Sequence, residues 1–407
     1  MRRASRQPGI IDAVRSSSRE ANINERMHAV AHLEWEALEP VWRGLEARGG
    51  VSPYQRFDFV APWLRMVALR RDVKPLVVEI RIDGQTGMLL PLEIAAFGIA
   101  RIARYPGGRQ TNLGGPIVDP DLAGSIDPGQ LGDQLVDIAK GPVRIDGNAL
   151  LTQPELPDGN VNPLSARAES RPSTAVSFKL DLDGPVEEVL SRVLSHGTRR
   201  HLVKKRKRLA ERGRLRFGPA SDATEASLML DTFLRQKAER FAALGLANPF
   251  EDEGVAGFLR DAIVTGLRDG RPGLETFGLW CGDKPAAIFG AATSRHRLSG
   301  SFICFDADPE VARCSPGELA LVEVIRLAAA RGVRVFDLGL GRGPLKARFC
   351  KASQPMVDTM LPATQLGGAA LLAIRTTGQL KDLLQRDERL VRPARRLAGW
   401  LGMQPRD

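Results

Sequence analysis

Ser315-Pro316-Gly317-Glu318-Leu319 opens an apolar-striped segment, and Val333-Arg334-Val335-Phe336-Asp337 closes it, with seventeen residues from Gly317 to Arg334. Asp127-Pro128-Gly129-Gln130-Leu131 opens a second such segment. It ends in Val143-Arg144-Ile145-Asp146, with fifteen residues from Gly129 to Arg144. A hairpin signal precedes each one, with its turn at Asp83-Gly84-Gln85-Thr86 in the first copy and at Cys281-Gly282-Asp283-Lys284 in the second. Pro-Gly pairs occur five times in the chain, so the dipeptide alone decides nothing. The order of hairpin, Pro-Gly helix start and Asp-terminated strand argues for a duplicated α/β unit.

Outward from these segments the periodicity fills in both copies. Helical spacing predicts helices over Met27 to Arg48, Phe57 to Arg71 and Gln130 to Lys140. Apolar, β-branched runs predict strands over Pro75 to Ile82, Met88 to Ile94 and Val143 to Ile145, with shorter ones around Ala100 to Tyr105 and Gly115 to Val118. Leu151 to Pro172 is rich in Pro, Asn, Asp and Ser, and a boundary is placed near its end. Beyond it, helices are expected over Pro185 to Arg212 (interrupted at Gly197), Ala223 to Ala243, Glu253 to Arg268 and Gly317 to Arg331. Strands are expected at Leu215 to Phe217, Leu274 to Trp280, Ala286 to Ala292, Ser299 to Phe305 and Val333 to Leu338. The expected organisation is a disordered tail (1–26), an N-terminal domain (27–172), a C-terminal domain (173–366) and a helical tail (367–407).

Composition excludes several function classes. No window approaches the roughly eighteen consecutive apolar residues of a membrane-spanning helix. The Arg- and Ser-rich start, Met1 to Glu20, has no apolar stretch of the secretory kind. Cys281, Cys304, Cys314 and Cys350 are spaced 23, 10 and 36 residues apart. That is neither a disulfide framework nor a zinc knuckle, and it fits a reducing cytoplasm. His28 and His32 share one face of the expected first helix but lack a glutamate partner in H-E-x-x-H spacing, so no metal site is expected.

Two elements can carry chemistry. Ser315-Pro316-Gly317-Glu318 has the form of a helix start with a capping box. The same unpaired backbone N–H groups suit a pyrophosphate, with Gly317 allowing close approach. Glu318 opposes that use unless its side chain turns away. The other element is Phe336-Asp337-Leu338-Gly339-Leu340-Gly341-Arg342-Gly343-Pro344, a strand ending in Asp before a Gly-rich loop, followed by Lys346, Arg348 and Phe349. It reads either as an Asx-type turn with glycines at positive φ or as a carboxylate beside a ligand-accommodating loop. It is not a P-loop, since no Gly-Lys-Ser/Thr follows.

The order of Ser299 to Asp306, Ser315-Pro316-Gly317 and Asp337-x-Gly-x-Gly-x-x-x-x-Lys346-x-x-Phe349 resembles the acetyltransferase domain of CelD-like proteins. These belong to the GNAT superfamily and are related to the FemABX peptidyltransferases with their doubled GNAT fold. Trp35-x-x-Leu38, Phe57 to Leu64, Leu89-Leu90-Pro91-Leu92 and Arg199-Arg200 to Leu209 extend the likeness, which spans roughly Trp35 to Pro362. The resemblance implies an α/β protein of two tandem GNAT-like domains, mixed central sheets flanked by helices, with the first domain degenerate. It implies a transferase that moves an acyl group, expected to be acetyl, from acetyl-CoA to an amine or hydroxyl on a cell-envelope or exopolysaccharide (cellulose-type) precursor. The implied cofactor-binding residues are Ser315, Pro316 and Gly317 for the pyrophosphate. Cys304 and Phe305 lie where a backbone N–H would meet the thioester carbonyl. Asp337 and Lys346 are the implied catalytic pair. The family commonly has Tyr just before that lysine; Leu345 stands here, and the only tyrosines, Tyr54 and Tyr105, lie in the first half. The alternatives are an aminoacyl-tRNA-dependent peptidyltransferase and a non-catalytic accessory protein of polysaccharide synthesis.

The formal net charge is +10. Between Arg192 and Arg216 eleven Lys/Arg face one acid, Glu211, so this stretch accounts for the whole excess. On a helix Leu190, Leu194, Leu202 and Leu209 form one stripe while the cations spread over the rest. The segment Arg199 to Arg208 offers a surface for an anionic acceptor or acidic lipid. No aromatic residue lies within it to stack a base, which argues against nucleic acid.

Overall fold

The computed structural model of the chain describes residues 27–48, 51–68, 73–141, 143–157, 159–167, 169–341, 343–350 and 352–386. The expected disordered tail and residues 387–407 of the expected helical tail lie outside these. The N-terminal half runs β1 (Met27–His32), a 3-10 turn (Trp35–Leu38), α1 (Glu39–Arg48), a second 3-10 turn (Pro53–Gln55), α2 (Phe57–Trp63), β2 (Lys74–Ile82), β3 (Gln85–Phe97), β4 (Ala100–Arg104), β5 (Ile117–Val118), α3 (Pro128–Ala139) and β6 (Gly147–Thr152). The C-terminal half begins with β7 (Arg171–Asp181), α4 (Val186–Val193), α5 (His196–Ala210), β8 (Leu215–Pro219), α6 (Ala223–Ala243), α7 (Glu253–Arg260) and α8 (Gly266–Arg268). It continues through β9 (Glu275–Cys281), β10 (Lys284–Thr293), β11 (Arg297–Phe305), α9 (Pro309–Ala312), α10 (Pro316–Ala330), β12 (Val335–Leu340), α11 (Pro344–Phe349), β13 (Ala352–Pro362) and α12 (Gln365–Arg386).

The strands join in one mixed sheet in the order β1-β2-β3-β4-β6-β13-β7-β12-β11-β10-β9-β8, with β5 paired to β3. From either end toward the middle the pattern is the same. Three antiparallel pairings lead to one parallel pairing, β4 with β6 or β11 with β12, and then to an antiparallel neighbour. The expected duplication is therefore written in the topology. Each copy also lends a strand to the other. β7 follows β6 in the chain yet pairs with β12, and β13 follows β12 yet pairs with β6; the two meet at the centre.

Two local expectations are corrected. Met27–His32 is a strand, not the start of a helix, because it completes the sheet edge against β2 from Met27↔Ile82 to His32↔Val77. His32 Nε2 lies 2.9 Å from Glu79 Oε2, which accounts for that imidazole. The strand expected at Val143 to Ile145 begins instead at Gly147. Asp146 stops just outside it, where its carboxylate accepts from the Arg101 amide (2.8 Å) and the Thr364 hydroxyl (3.0 Å).

Burial explains why the halves stay together. One core cluster mixes Trp42, Tyr54, Phe59 and Trp63 of the first half with Phe233, Phe258 and Phe302 of the second. Phe258 meets Phe59 edge-on at 5.2 Å and Trp63 at 5.3 Å. Such pairs add about 0.5–1.5 kcal/mol each beyond their buried area. On the other face of the C-terminal strands, Leu190, Leu194, Leu202 and Leu209 of the α4–α5 segment pack with Leu321 and Ile325 of α10, as the stripe predicted.

The halves also touch backbone to backbone. A Cβ on Gly273 would overlap the Asp58 carbonyl oxygen at the end of the α2 approach. Gly273→Ala is therefore expected to lower the unfolding free energy by about 2 kcal/mol. Urea denaturation of the full chain checks this, and an unchanged midpoint would show that the contact can relax freely.

Candidate functional site

The parallel pair at the centre of the C-terminal half is short. β11 and β12 are in register only at Arg297↔Val335, Leu298↔Phe336 and Ser299↔Asp337, and then they part. The cause lies in Asp337. Its Oδ1 accepts from the Gly339 amide at 2.9 Å, the i+2 pattern of an Asx turn, and Gly339 sits at φ +73°. The pairing of β12 with β7 shifts register across the same residues, between Asp337 and Leu340. This is a bulge, and it bends β12 away from β11. The Asp337 carboxylate also accepts from Ser299 Oγ (2.6 Å) and from Arg297 Nη1 (3.0 Å). It is fully buried. Burial pushes its pKa above the ordinary carboxylate value, and Arg297 pulls it back.

Three donors thus occupy the two oxygens of Asp337, and they shape backbone. Lys346 does not bond to it. Its ammonium donates to the Leu340 carbonyl at the end of β12. Burial lowers the Lys346 pKa, while the nearby Asp337 charge opposes that.

The first half reaches into the gap. Tyr54 Oη lies 3.0 Å from Ser299 Oγ, and Asn112 Nδ2 donates to Tyr54 Oη at 2.7 Å. Asn112 also donates to the Gly300 carbonyl (3.0 Å) and accepts from the Leu340 amide (3.4 Å). The sequence lacks a tyrosine in the second half, yet the fold supplies one from the first. Tyr54 is fully buried, and burial raises its pKa, so the hydroxyl keeps its proton. Nothing in the spacing of Tyr54 and Asn112 announces this role; their partners in the second half lie 188 to 245 residues away.

At the start of α10 the capping box does not form. Ser315 is left-handed, at φ +49°, and its side chain makes no capping bond. Such a conformation in a non-glycine residue costs roughly 1–2 kcal/mol. The Ser315 hydroxyl instead accepts from Lys205 Nζ at 2.6 Å. Glu318 stays on the cleft wall and pairs with Arg348 of α11. That pairing offsets the charge it would otherwise set against an anion here. Gly317 lies beneath Ile303 and Phe305 of β11. Cys304 points to the opposite, aromatic core.

Between α5, α10 and α11 lies a cleft of about 430 Å³ lined by Gly197, Thr198, His201, Leu202, Lys205, Glu318 and Arg348. Its walls carry the amine of Lys205, the guanidinium of Arg348 and the carboxylate of Glu318, and Ser315 is tied to them through its bond to Lys205. An anion of phosphate size meets cations and the positive end of a helix together there. Part of the rest of the basic segment is held by acids. Arg208 pairs with Glu310 at 3.1 Å, Arg206 with Glu323 at 3.5 Å, and Arg212 with Asp308 at 4.0 Å.

Residues 196–347, which run from α5 through this site to Ala347, match the acetyltransferase (GNAT) domain. The chain carries a GNAT acyltransferase domain. No curated protein sequence matches it. Among solved structures it is similar to FemX, at 10% identity and a TM-score of 0.54 over 83% of this chain and 96% of that one. It is also similar to a conserved protein of unknown function from Bacteroides thetaiotaomicron, at 10% identity and a TM-score of 0.52 over 79% and 97%. A tandem GNAT protein from the clavulanic acid biosynthesis pathway aligns over 83% and 98% at 12% identity, with a TM-score of 0.44. The first two are likenesses of fold. Among the described residues no helix is long and apolar enough to cross a membrane.

Two cysteines near the site, Cys304 and Cys350, are poor acids and poor nucleophiles. Cys304 and Cys350 are buried, and burial pushes each thiol up to about 12. Treating the native chain with iodoacetamide at pH 8 is expected to leave both unmodified, while the urea-unfolded chain reacts at both. Peptide mass mapping reads the result, and native alkylation of Cys350 would show that its thiol is accessible and reactive.

Proposed function

We propose that the C-terminal half (173–366) transfers an acyl group from acyl-CoA, with acetyl as the expected group, to an amine or hydroxyl acceptor. The N-terminal half (27–172) completes its framework. One observation carries the reading: within the GNAT-matching segment, two parallel strands part beside a helix start whose flanking cleft is lined by cations. The residues fit a phosphate-bearing co-substrate, since Lys205 and Arg348 line the cleft and Glu318 is neutralised by Arg348. When bound, acyl-CoA supplies the activated carbonyl. Ser315, Pro316 and Gly317 are assigned to its pyrophosphate. The end of β11, at Cys304 and Phe305, is assigned to presenting backbone N–H groups to the carbonyl. Asp337 is assigned the role of holding β12 bent, and Lys346 that of a cation at the mouth of the gap. The sequence resemblance extends the proposal to an envelope or exopolysaccharide precursor as acceptor and to the cytoplasm as the compartment. The free cysteines are consistent with that compartment.

A second reading, aminoacyl transfer from a charged tRNA, draws on one feature. Arg200, Lys204 and Lys207 lie on the exposed face of α5 with no ion pair among the described residues. It predicts tRNA binding that weakens steeply with salt.

Calorimetry with acetyl-CoA separates the two. Binding is expected below about 1 mM, in the usual range for enzyme substrates. Gly317→Asp is expected to abolish it. A Cβ at Gly317 makes only ordinary contacts, at 3.5 Å from Ile303 and Phe305, so the variant keeps its fold while placing a carboxylate at the helix start. Arg348→Glu is expected to weaken binding by at least about tenfold. A wild-type chain that gives no heat with acetyl-CoA, together with salt-sensitive tRNA binding, would replace the first reading by the second.

A further inference from the structure

Parting two strands in the middle of a sheet leaves backbone groups without ladder partners, and buried groups of that kind must be satisfied elsewhere. Where β11 and β12 separate, the groups at stake include the Gly300 carbonyl and the Leu340 amide. The Asn112 side chain meets both, donating to Gly300 at 3.0 Å and accepting from Leu340 at 3.4 Å. A carboxamide has the same donor and acceptor as a peptide unit, so it takes the place of the ladder bonds that the bend removes.

The surroundings are built for this insertion. Gly339 has no side chain, and a Cβ there would overlap the Asn112 carboxamide. Tyr54 Oη accepts the second N–H of Asn112 and itself meets Ser299. The loop carrying Asn112 is braced on both sides. The Thr111 hydroxyl donates to the Pro106 carbonyl at 2.7 Å, and the Leu113 carbonyl accepts from Ser52 Oγ at 2.8 Å. Ser52, Tyr54 and Asn112 all belong to the first half of the chain.

We propose that Asn112 is a positioning residue of the acyl site. It is a wedge from the N-terminal half that sets how far β11 and β12 part, and so where the backbone N–H groups of β11 stand. Its functional consequence rests on the acyl-transfer reading; its structural part does not. The N-terminal half is then a working part of the site.

The test uses the full chain as wild type, Asn112→Ala and Asn112→Asp. It combines hydrogen exchange, read on peptides covering 298–305 and 336–341, with acetyl-CoA calorimetry. In Asn112→Ala, exchange in 336–341 is expected to rise by about tenfold with β9 and β10 unchanged, and acetyl-CoA affinity to fall by about tenfold. Asn112→Asp has the same shape but no donors. It is expected to loosen 298–305 and to weaken binding, and it decides the matter if the alanine variant loosens everywhere. Unchanged exchange in both variants overturns the proposal, and so does local loosening that leaves affinity intact. A wild-type chain that ignores acetyl-CoA sinks the acyl-transfer reading instead, and the exchange data still decide whether Asn112 holds the strands apart.

Discussion

The Asp337 carboxylate turns the chain where a sheet would otherwise run straight. A central strand leaves its ladder only if every abandoned N–H and C=O finds another partner. Asp337 takes the Gly339 amide, and Gly339 accepts the left-handed conformation that follows. Arg297 and Ser299 then hold the carboxylate against the cost of its burial. Burying a charge is tolerable only with such partners. The opening beside α10, the insertion of Asn112 and the approach of Tyr54 all depend on that bend.

The other copy of the unit shows what its absence means. β4 and β6 pair in parallel at Ile102↔Gly147 and Ala103↔Asn148. By register, Ala103 stands where Ser299 stands and Asn148 where Asp337 stands. Asn148 offers no carboxylate at that position to fix a bend. The start of α3 is covered as well: the Arg167 guanidinium donates to the Pro128 and Gly129 carbonyls, and a Cβ on Gly132 would overlap it. The same topology thus carries an opening in one copy and a filled helix start in the other. What distinguishes them is a few side chains on a shared framework, since function resides in sites and not in folds.

Much of the framework was legible because its signals are local. α6 spans the expected Ala223 to Ala243, and the β9–β10–β11 meander follows the three expected strands. The duplication was visible in the order of motifs even though the first strand was placed four residues early, with Asp146 matched to Asp337. What escaped is what distant partners decide. β1 takes its state from β2, about fifty residues away, which overrides the helical spacing that continues past it. The exchange of β7 and β13 depends on pairing across the whole chain. Asp337 was singled out, but its alternative uses differ only in what surrounds it, and that surrounding includes Tyr54 and Asn112. No spacing rule connects residue 112 with residue 340.

The charge of the chain gains meaning from the same geometry. The cations of α5 divide by face. Arg206 and Arg208, with Arg212 just past the helix, are tied to acids, and exposed pairs of this kind stabilise by about 1 kcal/mol or less each. They serve to fix α5 across α9 and α10. Lys205 differs, because its partner is the neutral Ser315 hydroxyl, immediately before the positive end of α10. Arg348 stands on the other side and is balanced only by Glu318. With Arg348 and Glu318 offsetting each other, Lys205 leaves the cleft with a net positive charge. An anion entering there gains more than it would beside any of the paired cations of α5. The segment that carries the net charge of the chain is therefore an exposed surface, partly strapped to α9 and α10 by ion pairs, and Lys205, beside the start of α10, is the amine placed to meet a ligand.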